Sequence, residues 1–334
     1  MRHFITLLDW ERDDIEALLD EAAQLKKEHQ RGIRRPMLAG KVLGLVFEKP
    51  SLRTRVSFQS AIAQMGGSSV YLSGSEAGMG TRESIPDFAK VLSQYVDGVV
   101  LRTFAHGTVE TFAEHSACPV INGLSDRHHP CQALADLFTI REVFGKLQGR
   151  TLVFVGDGNN VARSLAVGCG LLGLRFCLAA PHGYGFDGSF LESLKQQLPQ
   201  TDLLQNGSPT KVISQADVIY TDVWTSMGQE AESGKRKKAF SRYQVNRELI
   251  GHAPPHAVIM HCLPAHRGEE ITNEVLDGNR SIVIQQAANR MHVQKALLQW
   301  LMASDPVKAR QAKSVSHLVS ARAKSTGVSN GRRK

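Results

Sequence analysis

Nowhere in the 334-residue chain do about 18 apolar residues run uninterrupted, and the opening MRHFITLLDWERDD returns to charge by Asp9, so neither a membrane helix nor a secretory leader is expected. Cysteine is scarce and scattered: Cys118, Cys131, Cys169, Cys177 and Cys262 are odd in number and never form a C-x-x-C pair. That excludes a disulfide framework and a structural zinc site, and a reducing, cytoplasmic setting fits. Aromatic residues make up only 6% of the chain and none follows Trp300. This matters because the formal net charge is +8, and eight Lys or Arg lie beyond Met302 against the single Asp305, leaving about +1 for residues 1–302. The excess is therefore a tail at 303–334 that reads as solvated and disordered or partly helical, and a basic tail without interleaved aromatics is a poor nucleic-acid binder. Membrane and nucleic acid are thus not expected partners.

What is present is the composition of an ordinary packed chain, 42% hydrophobic and 22% charged with 29 Gly and 12 Pro, long enough for two domains. Residues 9–32 show a helical apolar face through Ile15, Leu18, Leu19, Ala22 and Leu25. Short apolar runs at 42–47, 69–72, 98–101 and 119–121 then alternate with helical patterns at 56–65, 84–95, 108–115 and 131–144. A turn-rich gap near Gly145 precedes a second series of strand-like runs at 152–155, 176–180, 218–221, 258–261 and 281–284. The expectation is an α/β protein of two domains, each a parallel sheet flanked by helices, at 1–145 and 150–286, with a last helix at 287–302 that packs back on the first domain.

Ligands of open α/β sheets bind beyond the carboxyl ends of the strands, and five such segments here are polar. Glu48-Lys49-Pro50-Ser51-Leu52-Arg53-Thr54-Arg55 enters a helix and joins hydroxyls, backbone N–H groups and guanidinium, which suits a phosphate; the plainer alternative is a helix cap with solvated arginines. Arg102 closes the 98–101 run, where a second arginine would serve a doubly charged anion. His129-Pro130-Cys131-Gln132 sets an imidazole and an amide one turn apart at a helix start, able to hold a small carbonyl compound. Val155-Gly156-Asp157-Gly158-Asn159-Asn160-Val161 imitates a dinucleotide fingerprint but carries Val161 at the third glycine position and no acid after the next strand, so a nicotinamide oxidoreductase is not supported. Asn160 better suits the polar groups of an amino acid. Asp222, before Val223-Trp224-Thr225-Ser226-Met227-Gly228, is a natural partner for an ammonium group, and Cys262, in His261-Cys262-Leu263-Pro264, is either a polarizable site group or core sulfur.

Ser51-Leu52-Arg53-Thr54-Arg55, His129-Pro130-Cys131-Gln132, Asp222-x-Trp224-x-Ser226-Met227-Gly228, His261-Cys262-Leu263-Pro264 and Asn289-Arg290-Met291-His292 together resemble the ornithine carbamoyltransferases over roughly residues 3–302. The first two motifs are shared with aspartate carbamoyltransferases; the Ser-Met-Gly and His-Cys-Leu-Pro motifs point to ornithine. The resemblance implies carbamoyl transfer from carbamoyl phosphate to the δ-amino group of L-ornithine without metal or organic cofactor, in a homotrimer or an assembly of trimers. It implies that Ser51, Leu52, Arg53, Thr54 and Arg102 hold the phosphate, that His129, Gln132, Cys262, Leu263 and Arg290 enclose the carbamoyl end, and that Asn160, Asp222, Ser226 and Met227 bind ornithine. Arg102, His129, Asp222 and Cys262 are the expected catalytic groups. Putrescine or an N-acylated ornithine are alternative acceptors. Leu52 replaces the family's usual Thr, Ala288 its usual Glu, and the loop Ser-Gly-Ser-Glu-Ala-Gly-Met-Gly-Thr-Arg at 73–82 carries no Gln or His that would reach a neighbouring subunit's site.

Overall fold

The computed structural model describes residues 2–226 and 228–303; Met227 and the tail beyond Ala303 lie outside the described residues. The chain forms two wholly parallel sheets. In the first, β1 (Val42–Phe47), β2 (Ser68–Ser73), β3 (Gly98–Arg102) and β4 (Val120–Leu124) stand in the order β2-β1-β3-β4. In the second, β5 (Thr151–Val155), β6 (Arg175–Ala179), β7 (Leu203–Asn206), β8 (Val218–Thr221) and β9 (Val258–His261) stand in the order β7-β6-β5-β8-β9. Both orders reverse direction once, between β1 and β3 and between β5 and β8, which is where an open sheet leaves a crevice at its strand ends.

The central strands are almost uniformly apolar and buried on both faces, as parallel strands covered by helices must be. The edge strand β7, Leu-Leu-Gln-Asn, is only partly buried and mixed in polarity, so it lacks the apolar run by which its neighbours are recognised. The stretch at 281–284 departs from expectation. Only Ser281 bridges to Ile259, and the backbone then enters the helix Val283–Met302, whose first turn closes through the Gln286 N–H on the Ile282 carbonyl at 2.9 Å. The β-branched Ile282-Val283-Ile284 favoured a strand locally; the run of helix formers that follows, and burial against neighbouring helices, decides otherwise.

Three helices join the two sheets. Pro130–Phe144 is buried along nearly its whole length, packs on Asn160–Leu172 and on Val283–Met302, and ends at Gly145 with φ +76°. A Cβ on Gly168 would lie 2.5 Å from Leu137 Cδ1, so that helix crossing is as close as glycine allows. Helix Val283–Met302 lies against Arg12–Gln30, Leu52–Gln64 and Pro130–Phe144, returning the chain to the first sheet. The result is an apolar core common to both sheets, which runs from Phe4, Leu43 and Phe58 through Phe138 and Leu165 to Leu152 and Phe154, with a further cluster on the outer side of each sheet.

Candidate active site

The carboxyl ends of the strands in both sheets face a single cleft of about 1440 Å³. Every residue singled out above as a site candidate, Met227 apart, lines it.

The wall built on the first sheet is cationic. Ser51 caps Leu52–Gln64: its Oγ accepts from the Thr54 N–H at 3.3 Å and donates to Thr54 Oγ1 at 3.0 Å. The N–H groups of a first helical turn have no carbonyl one turn back, so those of Leu52 and Arg53, which the cap does not use, remain available to an anion. Leu52 is 77% exposed, and its side chain makes no part of that cap. Arg102 ends β3 almost fully buried, its Nε without a hydrogen-bond partner, and burial reinforced by Arg290 and Arg53 lowers its pKa to about 10. Among the described residues no carboxylate lies within ion-pair distance of Arg53, Arg102 or Arg290. Lys49 stands beside them, 4.4 Å over the Phe104 ring, its pKa lowered by burial and by Arg102. A buried cation without a counter-charge in contact costs several kcal/mol, which an anion bound in the cleft would offset.

Behind this wall sits a tightly bonded centre. His129 precedes Pro130, which takes the first helical turn at no hydrogen-bond cost, and its N–H donates to Ser164 Oγ at 2.8 Å. Burial, with Arg290 and Arg102 adding to it, holds the imidazole well below the ordinary histidine pKa, so it is neutral and offers a single N–H donor. Gln132 accepts from Arg290 NH1 through Oε1, and Arg290 NH2 donates to Thr54 Oγ1 at 2.9 Å. Leu263 adopts φ +56°, a region leucine seldom occupies, beside Cys262 at the end of β9.

The wall built on the second sheet is acidic and amidic. Asp222 accepts from the Cys262 thiol at 3.0 Å, from the Val223 N–H at 2.8 Å and from Asn159 Nδ2 at 2.8 Å. Burial and Asp222 push the Cys262 thiol well above its ordinary pKa, so the sulfur stays protonated and donates. Asn159 caps Asn160–Leu172 through its Oδ1, and Asn160 Nδ2 donates to the Ser125 carbonyl at 2.7 Å. Gly158 abuts the Gly185–Phe186 backbone, where a Cβ would lie 2.8 Å from the Gly185 carbonyl carbon; the glycine pattern serves loop packing. Asp222, Cys262 and His261 bring their donor atoms within 4.8 Å of one another. They do not suit a metal ion, because His261 Nδ1 accepts from the Leu263 N–H at 2.9 Å while Nε2 bonds buried Glu270 at 3.0 Å, which commits both ring nitrogens.

Several supporting residues escaped the sequence reading. Asn159 was overlooked beside Asn160, although its place before a helix is that of a cap. Arg236, buried, reaches Asp157, the Trp224 carbonyl and the Tyr184 ring, tying the segment after β8 to the turn after β5. Asp136, Tyr220 and Gln286 form a buried hydrogen-bonded group behind Gln132. Only the four-residue spacing of Gln132 and Asp136 along a helix hinted at the last of these.

Comparison with known proteins agrees with this geometry. Residues 2–142 match the family described as aspartate/ornithine carbamoyltransferase, carbamoyl-P binding domain, and residues 148–301 its Asp/Orn binding domain. Proteins named ornithine carbamoyltransferase from Oceanobacillus iheyensis and Bacillus subtilis are each 49% identical to this chain over 304 and 308 residues, covering 90% of it and 94% of their own lengths. The solved ornithine carbamoyltransferase from Pyrococcus furiosus superposes with a TM-score of 0.88 at 45% identity, covering 91% of this chain and 97% of that one. The enzyme of the same name from Thermus thermophilus gives 0.81 at 44% identity, covering 89% and 98%. The chain belongs to the aspartate/ornithine carbamoyltransferase family.

Proposed function

We propose that the cleft transfers the carbamoyl group of carbamoyl phosphate to the δ-amino group of L-ornithine, yielding L-citrulline and phosphate. The observation that carries this reading is the polarity of the cleft: three arginines without carboxylate partners among the described residues on one wall, and Asp222 with the Asn159–Asn160 amides on the other. The relatives' names favour ornithine over other amines.

In this reading residues 1–145 supply the carbamoyl phosphate side and residues 150–286 the ornithine side. Ser51, Leu52, Arg53, Thr54 and Arg102 hold the phosphate, Leu52 through its backbone. Arg102 and neutral His129 donate to the carbamoyl oxygen, Gln132 Oε1 accepts from the carbamoyl amine, and Cys262, Leu263 and Arg290 enclose it. Asn160, Asp222, Ser226 and Met227 take the amino-acid end of ornithine. The neutral δ-amine attacks the carbonyl carbon, and the C–N bond forms as the carbonyl electrons move to oxygen beside Arg102 and His129. Collapse breaks the bond to the phosphate oxygen as the amine's proton passes to that oxygen, and Arg53 and Arg102 stabilise the hydrogen phosphate dianion so formed. Two positioned substrates and fixed donors suffice, because the acyl group arrives activated.

The chain works in the cytoplasm as a homotrimer or an assembly of trimers. In support, among the described residues no helix is long and apolar enough to cross a membrane, and the five cysteines are free. Leu52 and Val56 stand exposed one turn apart on a helix that packs on β2, where Val70 is exposed too, the kind of apolar patch a subunit contact covers. Among the described residues, none of the stretch 73–82, which continues from the end of β2, lines its own protomer's cleft.

Initial rates of citrulline or carbamoylated-amine formation with ornithine, putrescine, N-acetylornithine and aspartate test this. Ornithine should exceed each of the others by at least about 100-fold in kcat/KM, the discrimination a site gains when its buried polar groups would otherwise be left unpaired. Preference for any other acceptor overturns the assignment.

A further inference from the structure

Asp136 lies wholly buried in the helix Pro130–Phe144, off the cleft wall, and is bonded within its own helix, to the helix Val283–Met302 and to β8. Its Oδ1 accepts from Gln132 Nε2 at 2.7 Å and from Gln286 Nε2 at 2.7 Å, and its Oδ2 accepts from the Tyr220 hydroxyl at 3.0 Å. Each of these partners leads to a wall of the cleft. Gln132 turns its Oε1 to Arg290, which reaches Thr54 in the anion-binding turn. Tyr220 lies in β8, two residues before Asp222, and Gln286 Oε1 accepts from the His261 N–H at 2.9 Å, one residue before Cys262.

We propose that Asp136 is a positioning residue that sets the Gln132 amide toward the carbamoyl group and, through Tyr220 and Gln286, ties that setting to the ends of β8 and β9. The proposal rests on the functional reading above. Its physical basis is that an amide has two unlike ends. Both Arg290 and the amine of a carbamoyl group are donors, so Gln132 must present its oxygen to them, and a flip of the amide would set its own N–H groups against two others. A carboxyl oxygen behind Gln132 accepts from Nε2 and so selects the useful orientation; Gln286 is oriented by the same atom. Burial raises the Asp136 pKa to about 7 against the pull of its three hydrogen bonds, which is consistent with a carboxyl group retained at a site where a charge is costly.

Asp136→Asn and Asp136→Leu separate orientation from packing. The Asn variant still offers Oδ1 to both amides, while its Nδ2 can donate to the Tyr220 oxygen, so KM for carbamoyl phosphate should stay within about threefold of wild type. Leu fills similar volume with no acceptor, and KM for carbamoyl phosphate should rise by about tenfold or more, the loss of roughly one oriented hydrogen bond. Tyr220→Phe and Gln286→Leu cut the links to β8 and β9 and should raise KM for ornithine about threefold or more while KM for carbamoyl phosphate moves less than twofold. This pair decides the matter if the Leu variant does not fold. A Leu variant with wild-type KM for carbamoyl phosphate, or Tyr220 and Gln286 variants that shift both KM values in parallel or neither while only the melting temperature falls, overturns the proposal. Failure of the wild-type chain to make citrulline refutes the functional reading itself, and this inference with it.

Discussion

The two walls of the cleft solve opposite electrostatic problems with opposite economies. The first-sheet wall leaves Arg53, Arg102 and Arg290 without carboxylates among the described residues, and burial pulls Arg102 down to about 10. The second-sheet wall satisfies its charges internally: Asp157 is paired with Arg236, and Asp222 is bonded to Asn159, Cys262 and its own loop. One wall is therefore unfinished without an anion, whereas the other is nearly complete without ligand. The difference teaches where binding energy is stored: an unpaired buried cation trades folding stability for affinity, and a satisfied network trades affinity for shape.

The sharpest test of that contrast is Arg102→Met. Removing a guanidinium that makes charge-assisted contacts, each about 1.5–3 kcal/mol, should lower kcat/KM for carbamoyl phosphate by about 100- to 1,000-fold. Because the charge is unpaired in the folded protein, the melting temperature measured without phosphate should stay level or rise. A clear drop in melting temperature would show that Arg102 is a structural group and that the first wall is not held in reserve for an anion.

How far this contrast could be read from the sequence differs between the walls. The places of Ser51, Arg53, Thr54, Arg102, His129 and Gln132 on the cleft wall were legible because strand ends, helix starts and polar side chains coincide within a few residues, so that local rules place them. Eight of the nine strands were legible for a similar reason, being apolar runs between turns. The 281–284 run was misread because tertiary packing outweighs local pattern there, and β7 was missed because an edge strand lacks the apolar run. The support of the second wall was the least visible part. Tyr220 and Gln286 lie 84 and 150 residues from Asp136 along the chain, and a hydrogen bond across such separations leaves no periodic trace.

A smaller effect is expected at Cys262. Serine keeps a donor toward Asp222 but is smaller and less polarizable, so Cys262→Ser should lower kcat/KM for ornithine by about tenfold and shift the melting temperature by no more than about 2 °C. The pH profile sharpens this. With the thiol pushed well above its ordinary range and His129 held well below its own, neither titrates between about pH 6 and 8. With carbamoyl phosphate kept saturating, so that the Asp136 carboxyl, raised to about 7, does not enter through binding of that substrate, the reactive neutral amine, with an ordinary pKa of about 10.4, is the group that controls kcat/KM for ornithine, which should rise close to tenfold per pH unit in wild type and Ser variant alike. Flattening of the slope by the substitution would mean that Cys262 itself gives up a proton in this window, and the second wall would no longer be a finished network.

The smallest expected effect concerns the charge outside both walls. Residues 303–334 carry most of the net positive charge, yet the unpaired cations argued to bind the anion lie within the cleft. If the first wall supplies the affinity, a chain ending after Met302 should retain kcat, the ornithine pH profile and KM for carbamoyl phosphate at ionic strengths near 0.15 M, where screening acts over about 8 Å. At low salt the full-length chain should gain at most about threefold in kcat/KM for carbamoyl phosphate, the gain expected if the tail's charge acts on encounter with a dianion and not on its bound state. Rates measured for both chains across a salt series decide between the two sources of positive charge. A deficit in the shortened chain that persists at high salt would place part of the anion site, or of the subunit assembly that completes it, in the tail, and the first wall would then be only a portion of the device that captures carbamoyl phosphate.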